Sequence, residues 1–153
     1  MQDPLEVMLE YANAFERTYD DDDWSRLAPY FAEDAVYEVR GGPLACRLDG
    51  RHAIFAGMKK SLDGLDRRCD ERQIELVDGP QVDPTDDGGV VTLHWRVCYR
   101  YGDAPPASFA GTTVTTVSDG VIVELRDEYT DADLEGFVRW TQDYARELDG
   151  SYV

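Results

Sequence analysis

Leu5, Met8, Ala12, Phe15 and Tyr19 recur at helical spacing, so the chain opens on an amphipathic helix with one buried stripe. Asp3-Pro4-Leu5-Glu6 is its start: a capping acid, a proline in the first turn and a second acid three residues on. The acidic run at 20–23 closes that helix. Trp24, Leu27, Tyr30 and Phe31 then give a short second helix, made irregular by Pro29. Residues 35–40 read as the first strand, ended by Gly41-Gly42-Pro43. A loop leads to a third helix with Ile54, Phe55, Met58, Leu62 and Leu65 on its core face.

Beyond this point the period changes to two. Residues 72–77, 90–101, 108–117 and 121–129 are strand candidates, with hairpin turns at Asp86-Asp87-Gly88-Gly89 and Ser118-Asp119-Gly120. A last helix starts at Thr130, whose spacing to Asp133 fits a capping box, and carries Leu134, Phe137, Val138, Tyr144 and Leu148. Helices followed by a run of antiparallel strands predict an α+β fold with helices on one face of a curved sheet. Strong curvature would leave a hollow between sheet and helices, the kind of place that holds ligands.

Length and charge narrow the functional classes. At 153 residues the expectation is one domain spanning 1–153, with a core of its own. Fifteen Lys and Arg against 32 Asp and Glu leave a net charge of −17, spread over loops and helix faces. Phosphate backbones and anionic membranes repel such a surface, so neither nucleic acid nor a membrane is expected as a partner. No apolar run approaches the roughly 20 residues of a spanning helix, and Met-Gln-Asp-Pro-Leu-Glu does not resemble a secretory leader. Cys46, Cys69 and Cys98 match no zinc spacing, and His52 and His94 are the only histidines. Free thiols in a reducing cytoplasm, with no metal or other cofactor, are the expectation.

Strand alternation locates the candidate chemistry. In 121–129, Val121, Val123, Leu125, Asp127 and Tyr129 share one face, while Ile122, Glu124, Arg126 and Glu128 share the other. Asp127 therefore lands among apolar neighbours, where a carboxylate must be paired, hydrogen-bonded or protonated. In 90–101, Val91, Leu93, Trp95, Val97, Tyr99 and Tyr101 form one face and Thr92, His94, Arg96, Cys98 and Arg100 the other. One reading packs the aromatic face on the core. The other makes a polar cavity of His94, Arg96 and Cys98 and buries the aromatic face in a dimer contact.

Phe31-Ala32-Glu33-Asp34-Ala35-Val36-Tyr37, the helix start Gly50-Arg51-x-Ala53-Ile54 and Val123-Glu124-Leu125-Arg126-Asp127 resemble the nuclear transport factor 2-like superfamily, and within it the SnoaL-like branch. The resemblance implies a cone: a curved antiparallel sheet wrapped around helices, a deep pocket and a homodimer formed through the outer sheet face. It also implies roles. Asp127 stands where polyketide cyclases and limonene-type epoxide hydrolase carry a catalytic acid, Tyr37 where the hydrolase holds its water, and Arg96 where it sets an arginine between two aspartates. The second aspartate is Cys98 here and the water-holding asparagine is Val39. Val39 also replaces the base of ketosteroid isomerase, and Thr113 the histidine of the cyclases.

What remains is a single-acid site: Asp127 as general acid or base, Arg96 orienting it or an anionic substrate group, Tyr37 donating a hydrogen bond. His94, Cys98, Val39, Thr113 and Tyr129 are expected to contact substrate. Such a set suits proton abstraction beside a carbonyl, dehydration or activation of one water on a hydrophobic small molecule, without a cofactor. The alternative is a ligand-binding or dimerisation module that has kept the cone and lost catalysis.

Overall fold

A computed structural model describes residues 3–153. Helix α1 (Pro4–Asp21) begins as expected, with Asp3 Oδ1 accepting from Leu5 N at 2.8 Å. A 3-10 segment (Trp24–Tyr30) leads into strand β1 (Phe31–Arg40), and a short strand β2 (Cys46–Asp49) pairs back on it. Helix α2 (Arg51–Gly64) follows. Strands β3 (Glu71–Thr85), β4 (Gly88–Arg100), β5 (Ala107–Ser118) and β6 (Val121–Glu128) complete the sheet, and helix α3 (Asp131–Tyr144) closes the series. Thr130 caps α3: its Oγ1 accepts from Asp133 N, and its hydroxyl donates to the Asp133 carboxylate. Among the described residues, no helix is long and apolar enough to cross a membrane.

The six strands lie in the order β2-β1-β6-β5-β4-β3. All neighbours are antiparallel except β1 and β6, which run parallel with Tyr37 opposite Leu125 and Val39 opposite Asp127. That pairing brings the first and last strands together in mid-sheet, so side chains 90 residues apart share one face.

Several details differ from the sequence pattern. Phe31 begins β1 rather than ending a helix, and β2 lies in what reads as a loop. Strand β3 continues to Thr85 past a register break at residues 78–81. A further break between Thr116 and Val117 shifts the β5–β6 register, so Ile122 turns inward and is buried with Leu125. On α1 the buried stripe is Val7, Met8, Tyr11, Ala14 and Thr18. Ala12 and Phe15 stay half-exposed because they face a hollow rather than solid core.

Alternation on β4 decides between the two readings of that strand. Val91, Val97 and Tyr99 are buried and Trp95 half-buried on the inner side, while His94, Arg96 and Arg100 are exposed outside. The expected apolar dimer face of Trp95, Val97 and Tyr99 is therefore the inner wall, and the outer face of β4 is polar.

A charged cluster ties the elements around the hollow. Arg72 on β3 donates from Nε to Asp66 Oδ2 at 2.8 Å and from Nη1 to Glu16 Oε2 at 2.9 Å. Tyr99 on β4 donates to the same Asp66 oxygen at 3.1 Å, and Arg72 stacks over the Tyr19 ring. Burial raises the Asp66 pKa, with Arg72 and Tyr99 pulling it down. Removing the guanidinium would strand a buried carboxylate. Arg72→Met is therefore expected to cost about 3–5 kcal/mol at pH 7. Without Arg72 the folded-state pKa of Asp66 rises further above its unfolded value, so the loss shrinks as pH falls toward 5 and Asp66 protonates. Urea denaturation at the two pH values checks this; an equal loss at both would contradict it.

Candidate active site

Between the sheet, α1, α2 and the C-terminal tail lies a cavity of about 310 Å3. Leu93, Trp95, Val97 and Tyr99 of β4, Phe109 and Thr113 of β5, and Leu125 and Asp127 of β6 form its sheet wall. Each is the inward member of its strand's alternation. The opening lies at the edge strand β3, where Ile74 and Leu76 are 45% and 54% exposed yet line the cavity.

Asp127 holds the centre of the sheet wall. Tyr37 donates to its Oδ2 at 2.5 Å, and Thr113 donates to Oδ1 at 2.6 Å. Thr113 is the cross-strand partner of Asp127, which accounts for the short reach. Trp95 Nε1 donates to Thr113 Oγ1 at 2.8 Å, which fixes the threonine hydroxyl as donor toward the carboxylate. The indole can lie there because residue 111, opposite it on β5, is glycine: a Cβ would come 2.5 Å from the ring.

No cation pairs with this carboxylate among the described residues, and the surface it keeps faces the cavity. Burial therefore pushes the Asp127 pKa above the usual carboxylate range; the bonds from Thr113 and Tyr37 oppose that rise without cancelling it. Burial, and then the neighbouring Asp127 charge, lifts Tyr37 well above an ordinary phenol. Tyr37 thus stays a proton donor in its hydrogen bond, and Asp127 is the group that titrates.

The expected site residues separate into two sets. Asp127, Tyr37, Thr113 and Tyr129 line the cavity. Val39 packs into the core beside it, 2% exposed. Arg96, His94 and Cys98 lie on the outer side of β4, away from Asp127. Arg96 Nη1 donates to Ser108 Oγ at 3.1 Å, and His94 Nδ1 lies 3.0 Å from Thr112 Oγ1. The expected guanidinium beside Asp127 is therefore absent. A strand with Trp95, Val97 and Tyr99 inward must turn 94, 96 and 98 outward, and that constraint overrides the motif match.

Two groups escaped sequence reasoning. Tyr152, from the tail, sets its ring edge-on to Tyr37 at 5.4 Å. The tail is held on α2 by Ser61 Oγ donating to Gly150 O at 2.6 Å and Asp149 N donating to Gly64 O at 2.9 Å. Gly57 and Gly64 permit this approach, since a Cβ at either would meet tail backbone at 3.0 Å or less. The second group is Asp66, Arg72 and Tyr99, which also reaches the cavity. Arg72 and Tyr99 are cross-strand partners, a pairing readable once β4 is oriented. No cluster of His, Cys, Asp and Glu among the described residues could hold a metal ion.

Comparison with known proteins agrees with this architecture. No curated protein matches the chain. A nuclear transport factor 2-like protein of unknown function from Burkholderia pseudomallei superposes with a TM-score of 0.64 at 14% identity, over 88% of this chain and 95% of that one. A protein from Xanthomonas campestris labelled a polyketide cyclase gives 0.57 at 20% identity, over 88% and 96%. An LEH-like epoxide hydrolase from M. tuberculosis gives 0.59 at 18%, over 90% and 93%. At these identities the likeness establishes the nuclear transport factor 2-like fold. The SnoaL-like domain matches residues 12–125, from the middle of α1 to just short of Asp127. The chain belongs to the SnoaL-like domain family.

Proposed function

We propose that the protein is a cofactor-independent acid–base enzyme of isomerase, dehydratase, cyclase or hydrolase type, acting on a hydrophobic small molecule in the cavity. One observation carries the reading: a carboxyl group with raised pKa, gripped by two hydroxyl donors and facing an aromatic hollow. A carboxylate short of solvation is a stronger base than one in water, and its conjugate acid persists nearer neutral pH. Asp127 is the group that takes up a proton and returns it later in the turnover. Tyr37 and Thr113 fix the carboxylate plane. Trp95 keeps the Thr113 hydroxyl pointed at the acid.

A second reading, a ligand-binding module without catalysis, is favoured by the outward turn of His94, Arg96 and Cys98, which leaves Asp127 without a guanidinium or imidazole to assist it. Asparagine keeps the shape of aspartate and cannot take up the proton. With a substrate found by screening, Asp127→Asn is expected to lower turnover about 100-fold or more while the melting temperature moves by only a few degrees. Unchanged turnover would leave the binding-module reading.

The acid limb of kcat/KM provides an independent check. With Asp127 as base, activity rises with pH through a midpoint above the ordinary aspartate value of about 3.9. Tyr37→Phe removes a hydrogen bond that favours the charged form, so the limb should move to higher pH; Thr113→Val should move it the same way. Limbs that coincide in all three proteins would show that another group is titrating.

A further inference from the structure

We propose that the hydrophobic ligand of this cavity carries a positive charge: an organic amine or quaternary ammonium whose cationic centre sits beside Asp127 among the aromatic side chains that line the cavity. The inference rests on the preceding reading of the cavity as a ligand site and adds the chemical class of what enters it.

Charge bookkeeping inside the cavity is the first observation. Among the described residues, its lining includes four acids, Glu16, Asp66, Glu75 and Asp127, and a single basic group, Arg72. That guanidinium is already committed to Asp66 and Glu16. Asp127 is left with two neutral donors, Tyr37 and Thr113, and each of its oxygens accepts only one of these bonds. A carboxylate oxygen has two lone-pair sites, so both retain accepting capacity toward the cavity. A buried carboxylate that stays charged is best satisfied by a positive partner in addition to its hydrogen bonds. Here the fold supplies one to Asp66 and none to Asp127.

The surroundings of Asp127 are the second observation. Tyr37 and Thr113 touch it, and Trp95 stands behind Thr113. Tyr11, Tyr129 and Tyr152 line the same cavity. Rings at these positions meet edge to face, Tyr37 with Tyr152 and Trp95 with Tyr129. Ring faces attract cations, best when water is excluded, and aromatic cages are a recurrent means of holding ammonium groups.

The two features reinforce each other. An anionic substrate would meet Asp127 and Asp66 with no uncommitted cation to receive it, and so is disfavoured. A ligand that is apolar throughout would leave the remaining accepting sites of Asp127 unanswered. An ammonium answers both the carboxylate and the rings. The net charge of −17 adds a long-range field of the same sign, which draws cations toward the opening at β3.

The test compares choline with its uncharged isostere 3,3-dimethylbutan-1-ol, which has the same shape without the charge. Binding is followed at pH 8 through the indole N–H resonance of Trp95. Choline is expected to bind about tenfold more tightly to the wild-type protein, and Asp127→Asn to abolish most of that preference. The wild-type comparison needs no variant, so a poorly folded Asp127→Asn does not remove the test. If the alcohol binds as tightly as choline or more so, the cavity takes neutral ligands: the cation proposal falls and the enzyme reading survives. If choline keeps its advantage in a folded Asp127→Asn protein, the charge is read elsewhere and the proposal falls. If neither compound moves the Trp95 resonance, the cation proposal falls, and the ligand-site reading is decided by the Asp127→Asn turnover measurement.

Discussion

The hydrogen bonds from Tyr37 and Thr113 to Asp127 join three strands at one carboxyl group, and the rest of the site is arranged around them. They exist because β1 pairs in parallel with β6 while β5 pairs with it antiparallel, placing Val39 and Thr113 on either side of Asp127 in register. Side chains alternate with a period of two, so a one-residue slip of β6 would send Asp127 to the outer face and Glu128 or Arg126 inward. The register is held from elsewhere. Leu125 is buried on the same face, and the bulge near Val123 brings Ile122 inward as well, so apolar burial on both sides of the bulge opposes slippage.

Two buried carboxyl groups, each accepting from a tyrosine, face one cavity and behave differently. Tyr99 donates to Asp66 as Tyr37 donates to Asp127, and burial raises both pKa values. Asp66 also holds Arg72, itself braced by Glu16, so its charge has a fixed counterpart and the cluster ties β3 and β4 to α1. Asp127 has only neutral donors. The same chemical pair is therefore structural at one end and available for proton transfer at the other, and the guanidinium makes the difference.

Much of this was legible in the sequence. Period-two alternation put Asp127 on an apolar face and split β4 into an aromatic and a polar side, and capping residues marked the starts of α1 and α3. The motif resemblance pointed to the family and to Tyr37, and marked Thr113 as the replacement of a family histidine, but it also matched Arg96 and marked Cys98 as the replacement of an aspartate, and alternation excludes both of these from the face of Trp95. Where the two sources conflict, backbone geometry prevails, because a side chain cannot change faces without a bulge. The bulge near Val123 leaves no local mark, so Ile122 reads as an outward residue. Asp66 and Tyr152 were hidden for another reason: each reaches the cavity through tertiary packing. Tyr152 depends on tail docking that Gly57 and Gly64 allow, and a glycine on a helix face does not reveal which segment will approach it.

The hollow survives because its walls are held by separate cores. One apolar cluster joins α1, α2 and β1 around Tyr11, Leu27, Phe31, Tyr37 and Ile54; the other joins β4, β5 and α3 around Val97, Tyr99, Phe109, Phe137 and Trp140. Tyr129 packs against both, directly beyond the strand that carries Asp127. Interiors ordinarily close over empty space, since unfilled volume forfeits dispersion contacts. Closing this one would require one cluster to slide toward the other, breaking the sheet register that spans them or the Arg72 cluster that links α1 to β3. The apolar burial that stabilises the walls is thus set apart from the polar groups on the cavity face. A substitution at Asp127 can therefore change the chemistry of the site while the architecture that holds it open stays in place.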